Sequence, residues 1–313
     1  MSNIVLVKAL NEIAEMKIYY DRFLSDKNPP GSIFAAKTPS CAITAYKSGK
    51  VLFQGSGSEE ESSKWGKPAK PSSSAKKESY QLNHLPKNIS SLSVIGSDEV
   101  GTGDYFGPIT VVAAYVNRDQ IPLLKELGVK DSKDLNDEKI VSIAKEIKDI
   151  VPFSLLTLHN EKYNKLQQSG MSQGKMKALL HNQAIGHLLK KIAPNVPEAI
   201  LIDQFAKEEV YYSYLKKESV VQTENVYFST KAEGIHLAVA AASILARYAF
   251  IKHFDNLSKA AGFKITKGAG AKVDEAAARL IHEKGLECLP AFVKLHFANT
   301  EKAKRLVASK YRK

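Results

Sequence analysis

Two acids, Asp98 and Glu99, stand side by side in the stretch GSDEVGTGDYFGP (residues 96–108), followed by glycines at 101, 103 and 107. Apolar runs flank this stretch, and the one that follows is ITVVAAYV. Two more acids sit in comparable places: Asp203 after the run AILI, and Glu233 in the short turn after VYFS. Burying a lone carboxylate is costly, so apolar strands that each end in an acid point to a cation between them. Carboxylates gathered from separate strand ends suit Mg²⁺, a hard ion that takes oxygen ligands and keeps some waters. A pair of such ions can activate a water and stabilise the leaving oxygen in phosphodiester cleavage.

One condition is geometric. Neighbouring strand side chains point to opposite faces, so Asp98 and Glu99 share a site only if the strand stops or bulges there. Gly101 and Gly103 permit such a turn and expose consecutive N–H groups to a hydroxyl or phosphate oxygen. The plain alternative is that acids follow strands in ordinary loops and that glycines make hairpins. Asp203 and Glu233 therefore carry weight only as companions of the 96–108 stretch.

Other motifs fall short. GTGDYFG (101–107) is one residue too long for a dinucleotide-binding fingerprint. GMSQGKM (170–176) is one residue too short for a phosphate loop and lacks the Ser or Thr after its lysine. The eight histidines show no paired metal-ligand spacing, and His236, three residues from Glu233, is the one to watch. Cys41 and Cys288 are the only cysteines, too few for a disulfide framework or a cysteine-rich zinc site, and they imply a reducing cytoplasm.

The elements that must position these residues follow from periodicity. Residues 55–79 are rich in Ser, Gly, Pro and charge and predict a flexible linker. Before it, strands are expected at 4–7, 32–37, 41–46 and 50–54, with a helix over 10–24. That is a helix laid on one face of a small antiparallel sheet whose other face stays free. Some of Tyr46, Lys47 and Lys50 belong to that free face, and the three are candidate duplex contacts; the alternative is a merely solvated face. After the linker, strands are expected at 92–97, 109–116, 153–159, 199–202 and 226–229. Helices are expected at 138–150, 175–192, 234–254 and 273–282, with further helical stretches later. The alternation predicts an α/β mixed sheet with helices on both faces.

Charge is distributed unevenly. The chain of 313 residues has a net charge of +12, concentrated at its two ends around a nearly balanced centre. That suits a polyanion gripped by the flanks while acidic chemistry sits in the middle, although basic proteins that bind nothing are common. The longest apolar runs read from the sequence are too short to span a bilayer, and the N-terminus lacks a secretory signal pattern.

With these residues assembled, the chain resembles the type 2 ribonucleases H, most closely their ribonuclease HIII branch. The matching stretches are DEVGTGDYFGP (98–108), GVKDSKDL (128–135), LIDQF (201–205), KAEGIHLAVAAASILAR (231–247), KGAGAKVDEAAARLIHEKG (267–285) and KLHFANTEKA (294–303). Thr102 between the two glycines and Glu233 as the fourth acid favour that branch over its sister, which usually has Arg and Asp there.

The resemblance implies a ribonuclease H-like sheet at 85–313 ending in a basic tail, a linker at 56–84, and a small TATA-binding-protein-like domain at 1–55 that helps grip substrate. It implies endonucleolytic cleavage of the RNA strand in RNA–DNA hybrids with Mg²⁺ or Mn²⁺, leaving 5′-phosphate and 3′-hydroxyl ends. Carried over by position, Asp98, Glu99, Asp203 and Glu233 are the metal-binding catalytic acids. Gly101, Thr102 and Gly103 face the ribose 2′-hydroxyl. Ser132 and Lys133 meet backbone phosphate, the alternative being a helix N-cap and a solvated lysine. The helix expected from 234 points its positive end at the acids. Thr102 in place of Arg argues against single embedded ribonucleotides as substrates. The expected partner is a hybrid duplex, with no membrane, no obligate protein partner, and a monomer in the cytoplasm. Two rivals remain: a hybrid- or DNA-binding protein that keeps the fold without the chemistry, and a dinucleotide-dependent enzyme built on the GTGDYFG turn.

Overall fold

The computed structural model describes residues 3–25, 28–29, 31–66 and 85–310. The chain divides into two compact units, Met1–Tyr80 and Gln81–Lys313.

In the first unit, β1 (Asn3–Val7) leads into α1 (Leu10–Tyr19), followed by β2 (Ser32–Lys37), β3 (Ala42–Tyr46), β4 (Lys50–Gln54) and a short helix α2 (Ser58–Ser63). The strands form an antiparallel sheet in the order β1-β4-β3-β2. Alternation sends Leu6, Ile43, Ala45, Val51 and Phe53 inward, where Ile13 and Met16 of α1 cover them. The opposite face stays uncovered within this unit and carries Val5, Thr44, Tyr46, Lys50 and Leu52, all exposed or half-buried. Lys47 is exposed in the turn after β3.

The linker expected at 56–84 does not begin where composition placed it. Helix α2 buries Ser58, Glu61 and Ser62. The Tyr20 hydroxyl donates to the Glu61 carboxylate at 2.8 Å, and the Trp65 indole N–H donates to the Tyr20 oxygen at 2.9 Å. Residues 58–65 therefore close the small core with polar side chains. The rest of the expected linker, 67–84, lies outside the described residues.

The second unit is built on a five-stranded mixed sheet in the order β7-β6-β5-β8-β9. Its strands are β5 (Val94–Val100), β6 (Ile109–Val116), β7 (Phe153–Leu158), β8 (Ala199–Asp203) and β9 (Val226–Ser229). The β7-β6-β5 half is antiparallel and the β5-β8-β9 half parallel. Helices α3 (Ile121–Glu126), α4 (Asp137–Ile147), α5 (Asn160–Gln168), α6 (Gln173–Ile192), α7 (Glu208–Leu215) and α8 (Leu237–Ala261) complete the body. Helices α9 (Ala271–Lys284), α10 (Leu289–Phe292) and α11 (Asn299–Lys310) follow.

The two sheet faces carry separate cores. Val94, Val112 and Ala114 pack with α8 and α4 on one face, while Ile95, Val111 and Ala113 pack with α6 and α7 on the other. Helix α8 is long and apolar enough to cross a membrane by length and composition alone. Its most apolar window is 72% buried inside the fold, as befits a core helix. It comes very close to β5: a side chain at Gly96 would run into the backbone of Ala238 and Val239.

Three sequence expectations change here. Strand β5 continues past Glu99 in unbroken register, with Asp98 opposite Val112, Glu99 opposite Val111 and Val100 opposite Thr110. Helix α8 starts at Leu237 instead of 234, capped by the His236 imidazole, whose Nδ1 accepts from the Ala238 N–H at 2.9 Å. The expected basic tail is largely helix α11, which buries Ala303 against the C-terminal core.

Candidate active site

The acids collect where β5 and β8 reach their C-terminal ends. The strands are parallel neighbours with Ser97 opposite Ile202, so Asp98 and Asp203 are the next residues on each. By alternation both project to the α8 face, with Gly96 and Leu201. The close passage of α8 over Gly96 then brings Ser243, one turn beyond Val239, to Asp98, whose ionised form its hydroxyl favours.

Asp98 is almost fully buried, and its carboxyl is pushed well above the usual range. Burial is the main cause, followed by the negative charge of Glu99; Asp203 and Glu233 add smaller repulsions. The Asp203 Oδ1 accepts from the Ala232 N–H at 2.9 Å, which ties β8 to the tight turn holding Glu233. Glu233 is itself buried and accepts from the Ser132 N–H at 2.7 Å, with the Lys133 ammonium at 3.3 Å. Asp131 lies close to Glu233. Its carboxyl is held below the usual range chiefly by the Lys133 N–H that it caps.

Glu99 differs from the other three. Because β5 does not bulge, its side chain projects to the α6 face, away from Asp98. There Oε1 meets the Lys177 ammonium at 2.7 Å and Oε2 meets His181 Nε2 at 3.0 Å. Burial alone would raise this carboxyl, but the His181 bond and the Lys177 charge outweigh it and hold it below the usual range. Among the described residues, no three acidic, histidine or cysteine side chains already form a finished metal cage. Each of the four acids accepts from protein donors instead, Asp98 from the Glu99 N–H at 2.7 Å.

The glycine turn lies just beyond. Gly101 has φ +96°, and a side chain there would strike the Pro108 carbonyl and the Phe250 ring, so both conformation and space demand glycine. Gly103 is exposed and a side chain there would meet nothing. Between them, the Thr102 carbonyl accepts from Gln173 Nε2 at 3.1 Å, while the buried Thr102 hydroxyl has no partner among the described residues.

Several residues therefore differ from their expected places. Ser132 is buried: its N–H holds Glu233, its hydroxyl meets Ser243 at 2.9 Å, and its carbonyl accepts from Arg247 at 2.6 Å. It braces the acids instead of facing solvent, and the cap of its short turn is Asp131. Lys133 remains largely exposed. His236 is a buried helix cap whose far nitrogen meets the Leu92 carbonyl at 3.1 Å, so it has no part among the acids. Tyr46 and Lys50 lie on the uncovered sheet face of the small unit, with Lys47 in the adjoining turn. Sequence inspection missed Gln173, Lys177, His181, Asp131, Ser243 and Arg247. The one available signal was charge on a buried helix face, at Lys177 and His181.

Comparison with known proteins bears on both units. The family model described as ribonuclease HII matches residues 95–300, and a domain described as being of unknown function matches residues 3–78. Ribonuclease HIII from Bacillus cereus is 59% identical over 310 residues, covering 98% of this chain and 100% of the relative. That from Bacillus anthracis is equally similar, at 59% with 98% and 100% coverage. The crystal structure of Bst-RNase HIII in complex with Mn²⁺ aligns with a TM-score of 0.70 at 49% identity, covering 99% of this chain and 100% of that one. Ribonuclease H2 from Pyrococcus horikoshii shares the fold, with a TM-score of 0.56 at 20% identity over 70% of this chain and 100% of that one. Conformity along nearly the whole length, both units included, shows that the chain belongs to the ribonuclease HII family and, within it, to the ribonuclease HIII branch.

Proposed function

We propose that the chain is an endonuclease that hydrolyses the RNA strand of RNA–DNA hybrids with the help of a divalent metal, leaving 5′-phosphate and 3′-hydroxyl ends. The observation that carries this reading is the buried Asp98, whose charge the protein leaves uncompensated beside three other acids. A carboxylate cluster of that kind fits a divalent cation, which repulsion between the acids favours. Asp98, Asp203 and Glu233 are the acids that would hold it, with Glu99, one residue from the end of β5, as the fourth. The Mn²⁺ complex of Bst-RNase HIII supports this class of ion. When bound, Mg²⁺ or Mn²⁺ supplies an activated water and neutralises charge at the scissile phosphate.

The chain's own groups do the rest. Ser132 and Lys133 hold Glu233 in place, and the exposed Lys133 ammonium is available to a backbone phosphate. The unpartnered Thr102 hydroxyl and the open space over Gly103 suit a close approach by the ribose with its 2′-hydroxyl. In the small unit, the uncovered sheet face with Tyr46 and Lys50, beside Lys47, is a surface for the hybrid backbone. The two cysteines are free, and a monomer in the reducing cytoplasm fits them.

Labelled hybrid incubated with and without Mg²⁺ or Mn²⁺ tests the reading. Cleavage is expected only with metal. Asp98→Asn is expected to lose nearly all cleavage and keep hybrid binding. Binding without any metal-dependent cleavage by the parent chain would leave a hybrid-binding protein that lacks the chemistry.

A further inference from the structure

Helix α6 carries an unusual stripe. Gln173, Lys177 and His181 are spaced by four, so they line one side of a helix whose neighbouring buried positions are largely apolar. Each reaches a segment of the active site. Gln173 Nε2 donates to the Thr102 carbonyl and to the Tyr163 hydroxyl, both at 3.1 Å. Lys177 and His181 each take one oxygen of Glu99. An ionised carboxylate only accepts, so the imidazole proton on that side must sit at Nε2. The far nitrogen of His181 is fixed by the Ser97 hydroxyl at 2.7 Å, two residues before Glu99 on the same strand face. Phe205, two residues after Asp203, closes the cluster. It stacks on His181 with ring centroids 5.1 Å apart, and the Lys177 ammonium lies 4.1 Å from its ring centre.

This is costly to build for stability alone. His181 is fully buried and Lys177 nearly so, yet apolar side chains would fill α6 there without desolvating charge. What the stripe achieves is definition: Glu99 has both oxygens engaged and cannot rotate freely, and the Thr102 peptide is held from the same helix.

We propose that the Gln173–Lys177–His181 stripe is the positioning layer of the active site, with Lys177 and His181 orienting Glu99 for the metal and Gln173 orienting the Thr102 peptide for the substrate. The inference rests on the role given above to Glu99. Outer partners of a metal-binding carboxylate typically change metal affinity or activity by about 10- to 100-fold when removed.

The test uses the full chain, with Mn²⁺ binding followed by calorimetry and hybrid cleavage resolved into kcat and KM. Lys177→Met is expected to weaken Mn²⁺ binding by roughly 10-fold and to lower kcat while KM for the hybrid stays within about twofold, with partial recovery in Lys177→Arg. Gln173→Ala is expected to leave Mn²⁺ affinity unchanged and to raise KM. Glu99→Gln separates the two levels. If it binds Mn²⁺ and cleaves like the parent, the role given to Glu99 is wrong. If it loses both while folded Lys177→Met and His181→Gln lose neither, the positioning inference alone falls. Should Lys177→Met fail to fold, His181→Gln and the half-buried Gln173→Ala decide by the same readouts.

Discussion

Asp98 and Glu99 are consecutive residues on one strand, and the protein treats them in opposite ways. On the α8 face, Asp98 is surrounded by acids, with Ser243 as its modest support. On the α6 face, Glu99 is neutralised by a lysine and braced by a histidine. One face is left short of a cation, and on the other the carboxylate already has protein partners that hold it. A strand that simply runs on, three residues past its expected end at 97, is what separates the two environments.

The contrast can be broken by measuring stability without metal. Glu99→Gln leaves the Lys177 ammonium buried without its counter-charge and is expected to destabilise the fold by about 3 kcal/mol. Asp98→Asn removes a repelled charge and is expected to stabilise it by about 1 kcal/mol. Chemical denaturation in chelator reads both. Adding Mg²⁺ should raise the parent's Tm and leave Asp98→Asn nearly unmoved, since only a protein that binds the ion gains from it. If both variants shift in the same direction without metal, the two faces are not electrostatic opposites.

The glycine turn offers a second contrast, smaller in energy. Gly101→Ala must adopt a left-handed backbone and meets Pro108 and Phe250, so a loss of about 2 kcal/mol is expected. Gly103→Ala meets nothing and should change stability by no more than about 0.5 kcal/mol, yet lower cleavage if hybrid backbone occupies that space. Equal thermal melts for the two variants would show that the turn is not under the constraint described.

How far the sequence revealed this depends on where each element's information resides. Ile109–Val116, Val226–Ser229, Ser32–Lys37 and Lys50–Gln54 form where apolar periodicity and turn residues place them, because their signals are local. Strand β5 extends further because pairing with Thr110 and Val111 of β6 imposes its register, and a partner's register is invisible in a single run. Helix α8 begins late because an imidazole caps it, outside the usual set of Ser, Thr, Asp and Asn. Helix α2 looked like linker because the residues it buries are polar, and the partners of Glu61 are the distant Tyr20 hydroxyl and the Lys64 ammonium. The three acids on or near the α8 face were legible as strand ends. Glu99's partners were not, since Lys177 and His181 lie some eighty residues away and nothing in their own helix names a carboxylate.

A last expected effect concerns the opposite rim of the same turn. Lys294 is fully buried, and its ammonium donates to the carbonyls of Asp104 at 2.8 Å and Gly107 at 2.6 Å, while Val293 bridges to Phe106. Burial pulls its pKa from 10.5 down to about 7, with the Asp104 charge opposing this only in part. Between those two values the unfolded chain holds a proton that the folded chain has released. Stability from this group therefore rises as pH climbs from about 7 towards 10, and its slope vanishes below the folded value. Urea denaturation at pH 7 and pH 9 should show the parent gaining up to about 2 kcal/mol relative to Lys294→Met. Parallel behaviour of the two proteins would mean that the carbonyls keep Lys294 charged throughout. The turn would then be clamped by a full positive charge on this rim, as Glu99 is clamped by Lys177 on the other.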